Sequence, residues 1–255
     1  MGKIYHLNVG CGDATVIQTD TATFLVDCHN IELHRNLLPA SKILRGVFIT
    51  HAHRDHYSGL DFLKRNGYGI QYLIYSPYQR RNDDNSLTIE EWTEFNALKN
   101  HFGSLGTKLY SPHRQEKWDS PWWGTDGIQF WILGPASHLT ANQTREVHDG
   151  CLVFQAHLGN RRCVFTGDAS DANLAHIASH TSNICGDILH ASHHGSINGA
   201  EMSFIKSCAP AYTIISTCVG VHDNVPHPTA LTRYESHTSK TVFRTDQAGM
   251  VTSTF

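Results

Sequence analysis

The chain has 255 residues, 40% of them hydrophobic, and a formal net charge of -3 at pH 7. That length can bury a substantial core, and we expect one domain over residues 1–255. The slightly acidic balance excludes a strongly basic surface that would bind nucleic acid through phosphate contacts alone. The sequence has no leader-like segment and no apolar run of about 18 residues, so it predicts a cytoplasmic protein that does not cross a membrane.

Three short apolar runs open the chain, over residues 4–9, 15–19 and 23–28. A Gly-Cys-Gly-Asp turn at 10–13 and an Asp-Thr turn at 20–21 separate them. Runs rich in β-branched residues and divided by such turns predict an antiparallel meander of three strands.

The motif VFITHAHRDHYSG, over residues 47–59, is the most informative part of the sequence. Its apolar start predicts a buried strand, which ends directly at His51, His53, Asp55 and His56. Side chains two residues apart in an extended segment point the same way, so His51 and His53 can bind one metal ion. Asp55 and His56, at the turn into the next helix, can bind a second ion. Nitrogen and carboxylate ligands without thiolate suit zinc, manganese or iron.

A plainer interpretation makes Asp55 the N-cap of the following helix and the three histidines ordinary polar residues of a turn. Four candidate ligands within six positions, at the end of a buried strand, favour the metal site. We therefore treat all four residues as candidate ligands. Asp55 is also a candidate catalytic group that holds or accepts a proton.

The motif HAHRDH resembles the signature of the metallo-β-lactamase superfamily. This resemblance implies an α/β fold, the αββα metallo-β-lactamase sandwich, in which helices flank two mixed β-sheets and one or two metal ions lie at the strand ends. Further motifs are similar to those of the competence-type branch, the DNA-uptake proteins with a cytosolic metallo-hydrolase domain. They extend from Val9 to Gly249 and comprise VGCGDA, HDGCLVFQAHLGNRRCVFTGD, SHHGS, IISTCVGVHDNVPHP and FRTDQAGM.

The resemblance assigns roles to residues outside the HAHRDH motif. His148 falls where most of the superfamily has the third histidine of the first metal site, although the competence-type branch often has asparagine there. Asp168 falls at the carboxylate that bridges the two ions. Asp27 matches a buried aspartate that orients metal-bound histidines through hydrogen bonds. The alternatives are a turn aspartate at Asp27 and a helix N-cap at Asp168, and the latter is compatible with metal binding.

The SHHGS motif is expected to complete the second site. By position His193 is the expected ligand, and His194 would then face the substrate as a proton donor, with the reverse assignment left open. His227 and Ser196 are further candidates to contact a phosphate or to donate to the leaving oxygen. The expected ligands of two divalent ions, Zn2+ or Mn2+, are His51, His53 and His148 for one, Asp55, His56 and His193 for the other, and Asp168 between them.

The remaining pattern alternates helices with short strands. A helix is expected over 57–66, ending at Gly67. Thr88 and Glu91 form a capping box that begins a core-facing helix, which ends at Gly103. Strands are expected at 70–75, 128–133, 151–158, 161–166, 187–191, 211–216, 241–245 and 250–253, and helices at 170–180 and 228–236.

An irregular stretch over residues 111–127 contains Trp118, Trp122 and Trp123. Tryptophans beside a metal site can stack on a base or a sugar of a substrate. We expect these three to cover the edge of the sheet instead.

Seven cysteines are scattered along the chain without a C-x-x-C spacing. An odd number of such cysteines is typical of reduced thiols that pack as small apolar side chains, rather than of a disulfide framework. We expect free thiols at Cys11, Cys28, Cys151, Cys163, Cys185, Cys208 and Cys218.

A two-metal site predicts hydrolysis by a water shared between the ions, without a serine or cysteine nucleophile. Hydrolysis of DNA or another phosphodiester is the expected reaction, because two metals stabilise the charged in-line transition state and the resemblance is to a DNA-degrading branch. That branch also resembles phosphorylcholine esterases, so a small phosphodiester is an alternative substrate. A lactonase or thioesterase would use the same metals on a carbonyl group, and a binding module would keep the fold without activity. A partner protein from a neighbouring gene, as in defence against foreign DNA, is a hypothesis that rests on the resemblance alone.

Overall fold

The computed structural model describes residues 2–142, 145–182, 184, 186–221 and 224–255. Within them, strands form two sheets of seven. The strands are β1 (Lys3–His6), β2 (Ala14–Gln18), β3 (Thr23–Cys28), β4 (Ile43–Ile49), β5 (Gly69–Tyr75), β6 (Lys108–Tyr110), β7 (Trp123–Thr125), β8 (Ile128–Gly134), β9 (Val153–Leu158), β10 (Arg161–Phe165), β11 (Ile188–His190), β12 (Tyr212–Ile215), β13 (Thr241–Arg244) and β14 (Val251–Thr254). The first sheet has the order β14-β1-β2-β3-β4-β5-β6, and the second has the order β13-β12-β11-β10-β9-β8-β7.

The helices lie outside the two sheets and in the loops that leave them. They are α1 (Arg54–Tyr57), α2 (Gly59–Arg65), α3 (Ile89–Ser104), α4 (Ser137–Ala141), α5 (Asp171–His180), α6 (Met202–Cys208), α7 (Pro228–His237) and α8 (Thr245–Ala248), with 3-10 segments at Ile31–Leu37 and Ser192–Gly195. Among the described residues, no helix has both the length and the apolar character needed to cross a membrane.

The core consists of three apolar layers. Phe48, Phe130 and Phe154 pack between the two sheets, and the ring centroids of Phe48 and Phe154 are 4.5 Å apart. Side chains alternate along β4, so its Val47 and Ile49 lie in the layer that α2 and α3 cover. Helices α5, α6 and α7 cover the outer face of the second sheet. Each large apolar side chain taken out of water contributes about 1.5–3 kcal/mol, which holds this αββα sandwich together.

The direction of the strands explains where a site can form. β3, β4, β5 and β6 are parallel, and so are β10, β11, β12 and β13. The carboxyl ends of parallel strands lie at one edge of a sheet, which is where ligands bind in open α/β sheets. The two sheets are joined at this edge, because the Leu152 N–H donates to the Thr50 carbonyl over 2.8 Å.

Most of the expected elements are confirmed. β1, β2 and β3 form the antiparallel meander, and Thr88 caps α3 in a reciprocal capping box with Glu91. In place of the single helix expected over 57–66, the structure has α1 and α2, on either side of Ser58. Helical structure begins earlier, at Arg54, because the His53 carbonyl accepts hydrogen bonds from the N–H groups of His56 and Tyr57.

The three tryptophans have two different environments. Trp122 and Trp123 are partly buried against the layer between the sheets, as expected for residues that cover its edge. Trp118 is 36% exposed and stacks on Trp131, with ring centroids 6.0 Å apart.

The thiol prediction is confirmed for the six cysteines within the described ranges: Cys11, Cys28, Cys151, Cys163, Cys208 and Cys218. The seventh, Cys185, lies outside the described residues.

Candidate metal centre

The candidate ligands gather at the edge where the parallel strands of both sheets end. β4 leads into the loop with His51, β10 leads to Asp168, and β11 leads into the 3-10 segment that contains His193 and His194. Ligands from both sheets therefore meet in one cleft.

Four residues form a first group of candidate ligands: His51, His53, His148 and Asp168. One donor atom from each lies within 4.8 Å of the others. His51 Nε2 is 3.0 Å from His53 Nδ1. His53 Nε2 donates to the Ser86 carbonyl over 2.7 Å, which leaves Nδ1 of that ring as the acceptor facing the group.

Asp55, His56 and His194 form a second group, whose donor atoms also lie within 4.8 Å of one another. His194 Nε2 is 3.2 Å from Asp55 Oδ2, and His56 Nε2 is 3.9 Å from the same oxygen. The group combines one carboxylate with two buried imidazoles.

Asp168 lies between the two groups. Its Oδ2 is 3.8 Å from His51 Nε2, and its Oδ1 is 3.3 Å from His56 Nε2. Helix α5 is capped by Ser170 rather than by Asp168. Asp168 Oδ2 is also 3.6 Å from His194 Nε2, so the carboxylate lies within 4 Å of imidazole nitrogens from both groups.

Hydrogen bonds behind the rings fix the second group. Asp27 Oδ2 accepts from His56 Nδ1 over 2.8 Å and from the Thr50 hydroxyl over 2.7 Å. His194 Nδ1 donates to the Ser216 carbonyl over 3.0 Å. Each Nε2 is thus turned toward the cleft, the arrangement in which a carboxylate or carbonyl behind a histidine orients it for metal binding.

The structure places His194, rather than the expected His193, in the second group, which is the alternative that the sequence left open. His194 is 4% exposed and belongs to the second group. His193 lies at the rim, and its side chain is 27% exposed. Its Nδ1 donates a hydrogen bond to the Asn198 carbonyl over 2.9 Å, and its Nε2 is 3.8 Å from Asp168 Oδ2. Both residues have φ of 53°. These two left-handed backbone conformations turn the ring of His194 inward and leave the ring of His193 at the surface.

His227 is placed as a helix cap. Its Nδ1 accepts a hydrogen bond from the Thr229 N–H over 3.1 Å at the start of α7, and its own N–H donates to the Gly195 carbonyl. The structure does not bring His227 to the lining of the cleft, because its ring is turned to the helix terminus.

The cleft over both groups has a volume of about 630 Å³, and most of the residues that line it are polar or charged. Besides the candidate ligands, Arg54, Glu91, Ser196 and Asn198 line it. Its described lining is Cys11, His53, Arg54, Asp55, Glu91, His148, Asp168, His193, His194, Ser196, Asn198 and Val225.

The electrostatics of the second group favour positive charge. Burial alone would lower the pKa of His194, but Asp168 and the hydrogen bond to Asp55 outweigh it and raise that pKa to about 9. Burial likewise opposes protonation of His56, and the carboxylates of Asp168 and Asp27 hold its pKa well above the usual value. These two imidazoles hold protons where a cation would bind.

The electrostatics of the first group favour neutral imidazoles instead. Burial lowers the pKa of His148 to about 3 and holds the pKa of His51 well below its usual value. Burial opposes ionisation of Asp168, but His194 and His56 lower the pKa of that carboxylate well below its usual range. Neutral imidazoles beside an ionised carboxylate are the protonation states that metal binding requires.

Sequence reasoning missed a buried cluster behind the second group. Asp13, His190 and His6 are at most 4% exposed, and Asp13 Oδ2 is 3.7 Å from His190 Nδ1. In the sequence, Asp13 belongs to a turn and to the VGCGDA motif, neither of which assigned it a role, and the two histidines end strands without any ligand spacing.

The two groups fit a pair of metal ions. His56 Nε2, His148 Nε2 and Asp168 Oδ1 are buried and have no hydrogen-bond partner among the described residues. Such orphaned polar atoms cost about 1–3 kcal/mol each. Imidazole nitrogens and carboxylate oxygens are donors for zinc and manganese.

Comparisons with known proteins identify the fold. No protein-family model and no curated protein match the sequence. The metallo-β-lactamase fold protein YhfI from Bacillus subtilis matches with a TM-score of 0.58 at 17% identity, over 99% of this chain and 100% of its own. Zn2+-bound PqqB from Methylobacterium extorquens matches with a TM-score of 0.58 at 11% identity, over 100% of both chains. A diphosphatase from the PhnP family matches with a TM-score of 0.53 at 14% identity, over 99% of this chain and 98% of its own.

At these identities the likeness establishes the architecture alone. The two seven-stranded sheets, their flanking helices and the site at the strand ends agree with it. The chain has the metallo-β-lactamase fold.

Proposed function

We propose that this protein is a two-metal hydrolase of phosphodiesters, with DNA or a smaller phosphodiester as its substrate. The observation that carries the proposal is the position of Asp168, which directs one oxygen toward His51 Nε2 at 3.8 Å and the other toward His56 Nε2 at 3.3 Å. A carboxylate between two groups of imidazoles is suited to hold two cations close together. When bound, two divalent cations would lower the pKa of a shared water and stabilise the charge that develops on an attacked phosphate.

The donor atoms favour Zn2+ or Mn2+ in both positions. Imidazole and carboxylate ligands suit both metals. Cys11 is the only cysteine along the described lining of the cleft, and burial raises the pKa of its thiol to about 11. Cys11 belongs to neither group of candidate ligands, so we expect no thiolate in the coordination.

His193 is the proposed proton donor to the leaving oxygen. The Asn198 carbonyl holds its Nδ1 at 2.9 Å, and its Nε2 faces Asp168 Oδ2 at 3.8 Å from the rim of the cleft. A ring that is fixed on one side and free on the other can deliver a proton in a defined direction. Asp55, already paired with His194 at 3.2 Å, is the proposed group that orients the attacking water.

The wall of the cleft favours phosphodiesters over carbonyl esters. Ser196, Asn198 and Arg54 supply hydrogen-bond donors, and Val225 is the single aliphatic side chain in the described lining. A lactonase or thioesterase would need an apolar pocket for its acyl group. One of the fold neighbours is named as a diphosphatase, and the motifs similar to the competence-type branch favour DNA.

The test is a substrate panel with the metal-free protein reloaded with Zn2+ or Mn2+. Bis-p-nitrophenyl phosphate and linear single-stranded and double-stranded DNA represent phosphodiesters, and p-nitrophenyl acetate with a simple lactone represents carbonyl esters. We expect metal-dependent cleavage of phosphodiesters that falls at least a thousandfold in Asp168→Ala. The matched control is Asp61→Ala, which removes an exposed carboxylate of α2 paired with Arg65.

Turnover of carbonyl esters alone, by protein with its metals bound, would overturn the phosphodiester assignment and support the alternative. Equal activity in Asp168→Ala and Asp61→Ala would overturn the proposed site.

A further inference from the structure

Asp13 is a buried carboxylate that the roles proposed above do not use. It ends the Gly-Cys-Gly-Asp turn between β1 and β2. Its N–H donates to the Asp55 carbonyl over 3.0 Å, and its carbonyl accepts from the His29 N–H over 3.0 Å. The residue is 4% exposed. Asp13 is therefore held rigidly between the metal motif and the segment after β3.

Three imidazole rings face this carboxylate through their Nδ1 atoms. Asp13 Oδ1 is 3.6 Å from Nδ1 of His194, and Oδ2 is 3.7 Å from Nδ1 of His190 and 3.9 Å from Nδ1 of His56. In His56 and His194 the opposite nitrogen, Nε2, faces the cleft. Asp13 consequently lies directly behind the second group of candidate ligands.

The direct hydrogen bonds of these two rings go to other atoms. His56 Nδ1 donates to Asp27, and His194 Nδ1 donates to the Ser216 carbonyl. Asp13 Oδ1 is buried without a hydrogen-bond partner among the described residues. The charge of Asp13 is thus available to act on the rings across 3.6–3.9 Å, in a region where solvent screens it little.

His190 restrains the carboxylate from the second sheet. It ends β11, is 3% exposed and stacks on His6 of β1, with ring centroids 5.3 Å apart. The contact between Asp13 and His190 therefore spans the two sheets. It keeps the carboxylate pointed at the second group.

We infer that Asp13, held against His190, is a positioning residue for the second metal ion: it fixes the rings of His194 and His56 and adds negative charge behind them. The inference rests on the proposed two-metal site and deepens it. No ion pair within 4 Å joins Asp13 to His51, His53 or His148 in the part of the chain that the structure describes. Loss of Asp13 is thus expected to weaken the second ion and to spare the first.

The test measures metal binding without reference to turnover. Metal-free wild type, Asp13→Asn and the control Asp61→Asn are titrated with Mn2+ by calorimetry, and the spin-coupled signal of a manganese pair is followed by electron paramagnetic resonance. Asparagine keeps the shape of the side chain and removes its charge. We expect two ions in wild type and in Asp61→Asn. In Asp13→Asn we expect a first ion within twofold of wild type, a second at least tenfold weaker, and a coupled signal that returns only at higher Mn2+.

Equal affinity for the second ion in Asp13→Asn would overturn this inference alone, and so would equal weakening of both ions together with a lower melting temperature. Wild type that binds fewer than two ions would overturn the two-metal site and this inference with it. If Asp13→Asn does not fold, His190→Asn supplies the test, because it frees the carboxylate without removing it. A selective loss of the second ion, of about threefold, is then expected, and an unchanged second ion would overturn the inference.

Discussion

Nδ1 of His56 donates a 2.8 Å hydrogen bond to Oδ2 of Asp27, on the side of the ring that faces away from the cleft. Asp27 also accepts from the N–H and the hydroxyl of Thr50. One buried carboxylate thereby ties the end of β3 to the metal motif after β4. The hydrogen bond fixes the tautomer of His56 and leaves its Nε2 facing Asp168, so the ring is oriented before an ion binds.

Asp27→Asn is expected to damage both stability and metal binding. The amide oxygen can accept only part of the three hydrogen bonds, and the amide N–H group meets donors instead. We predict a loss of about 2–3 kcal/mol in the free energy of unfolding and a fall of about 10- to 100-fold in metal affinity. Urea unfolding and calorimetric titration measure the two effects. Wild-type values for both would contradict the role of Asp27.

Alanine substitutions at the two adjacent histidines distinguish the proposed metal ligand from the proposed proton donor. His194 lies in the second group, whereas His193 lies at the rim. We predict that His194→Ala retains one ion per chain. His193→Ala is predicted to retain two ions and to lose about 10²- to 10⁴-fold in turnover, the range for a general acid. Metal content by elemental analysis and steady-state kinetics provide the comparison, and the opposite pattern would restore the assignment expected from the sequence.

The stability of the metal-free protein is expected to fall as the pH rises. The pKa of His194 is raised from 6.5 to about 9 by Asp168 and Asp55 against the effect of burial. A group whose pKa is higher in the folded state stabilises it fully below the unfolded pKa, and this contribution disappears as pH rises through the folded pKa. The free energy of unfolding is therefore predicted to decline between about pH 6.5 and pH 9, by up to about 3 kcal/mol.

Urea unfolding in the presence of a chelator, at several pH values, measures this decline. The raised pKa of His56 acts in the same direction. His194→Gln is predicted to show a shallower dependence. A metal-free protein whose stability rises over this range would contradict the charges that we assign to the second group.

His227→Ala is expected to affect stability rather than chemistry. His227 accepts the Thr229 N–H as the cap of α7 and does not line the cleft. We predict a loss of about 1 kcal/mol, the usual cost of a cap, with turnover within twofold of wild type. Thr88→Ala, which removes the cap of α3, gives the matched comparison. A large fall in turnover at unchanged stability would return His227 to the catalytic machinery.

Much of this site could be anticipated from the sequence because its parts are local. His51 and His53 directly follow one strand and are two residues apart, and Asp55 and His56 begin the next helix, so all four lie within six positions of the chain. His148 and Asp168 could be predicted only from the resemblance to other proteins. They are distant in sequence from the HAHRDH motif, and only the folded second sheet brings them close to it.

Two features could not be anticipated, for different physical reasons. The roles of His193 and His194 depend on a pair of left-handed backbone conformations, which no side-chain pattern specifies. The role of Asp13 depends on a turn that folds back onto the Asp55 carbonyl, and a Gly-Cys-Gly-Asp sequence signals only the turn.

The most direct test of the two-metal hydrolase is to count the ions that activity requires. Metal-free protein is titrated with Mn2+, and hydrolysis of bis-p-nitrophenyl phosphate is measured at each ratio of metal to protein. We predict that activity rises steeply as the second ion binds and reaches a plateau at two ions per chain. Full activity at one ion per chain, or two bound ions without hydrolysis of any phosphodiester, would contradict the proposal of a two-metal hydrolase.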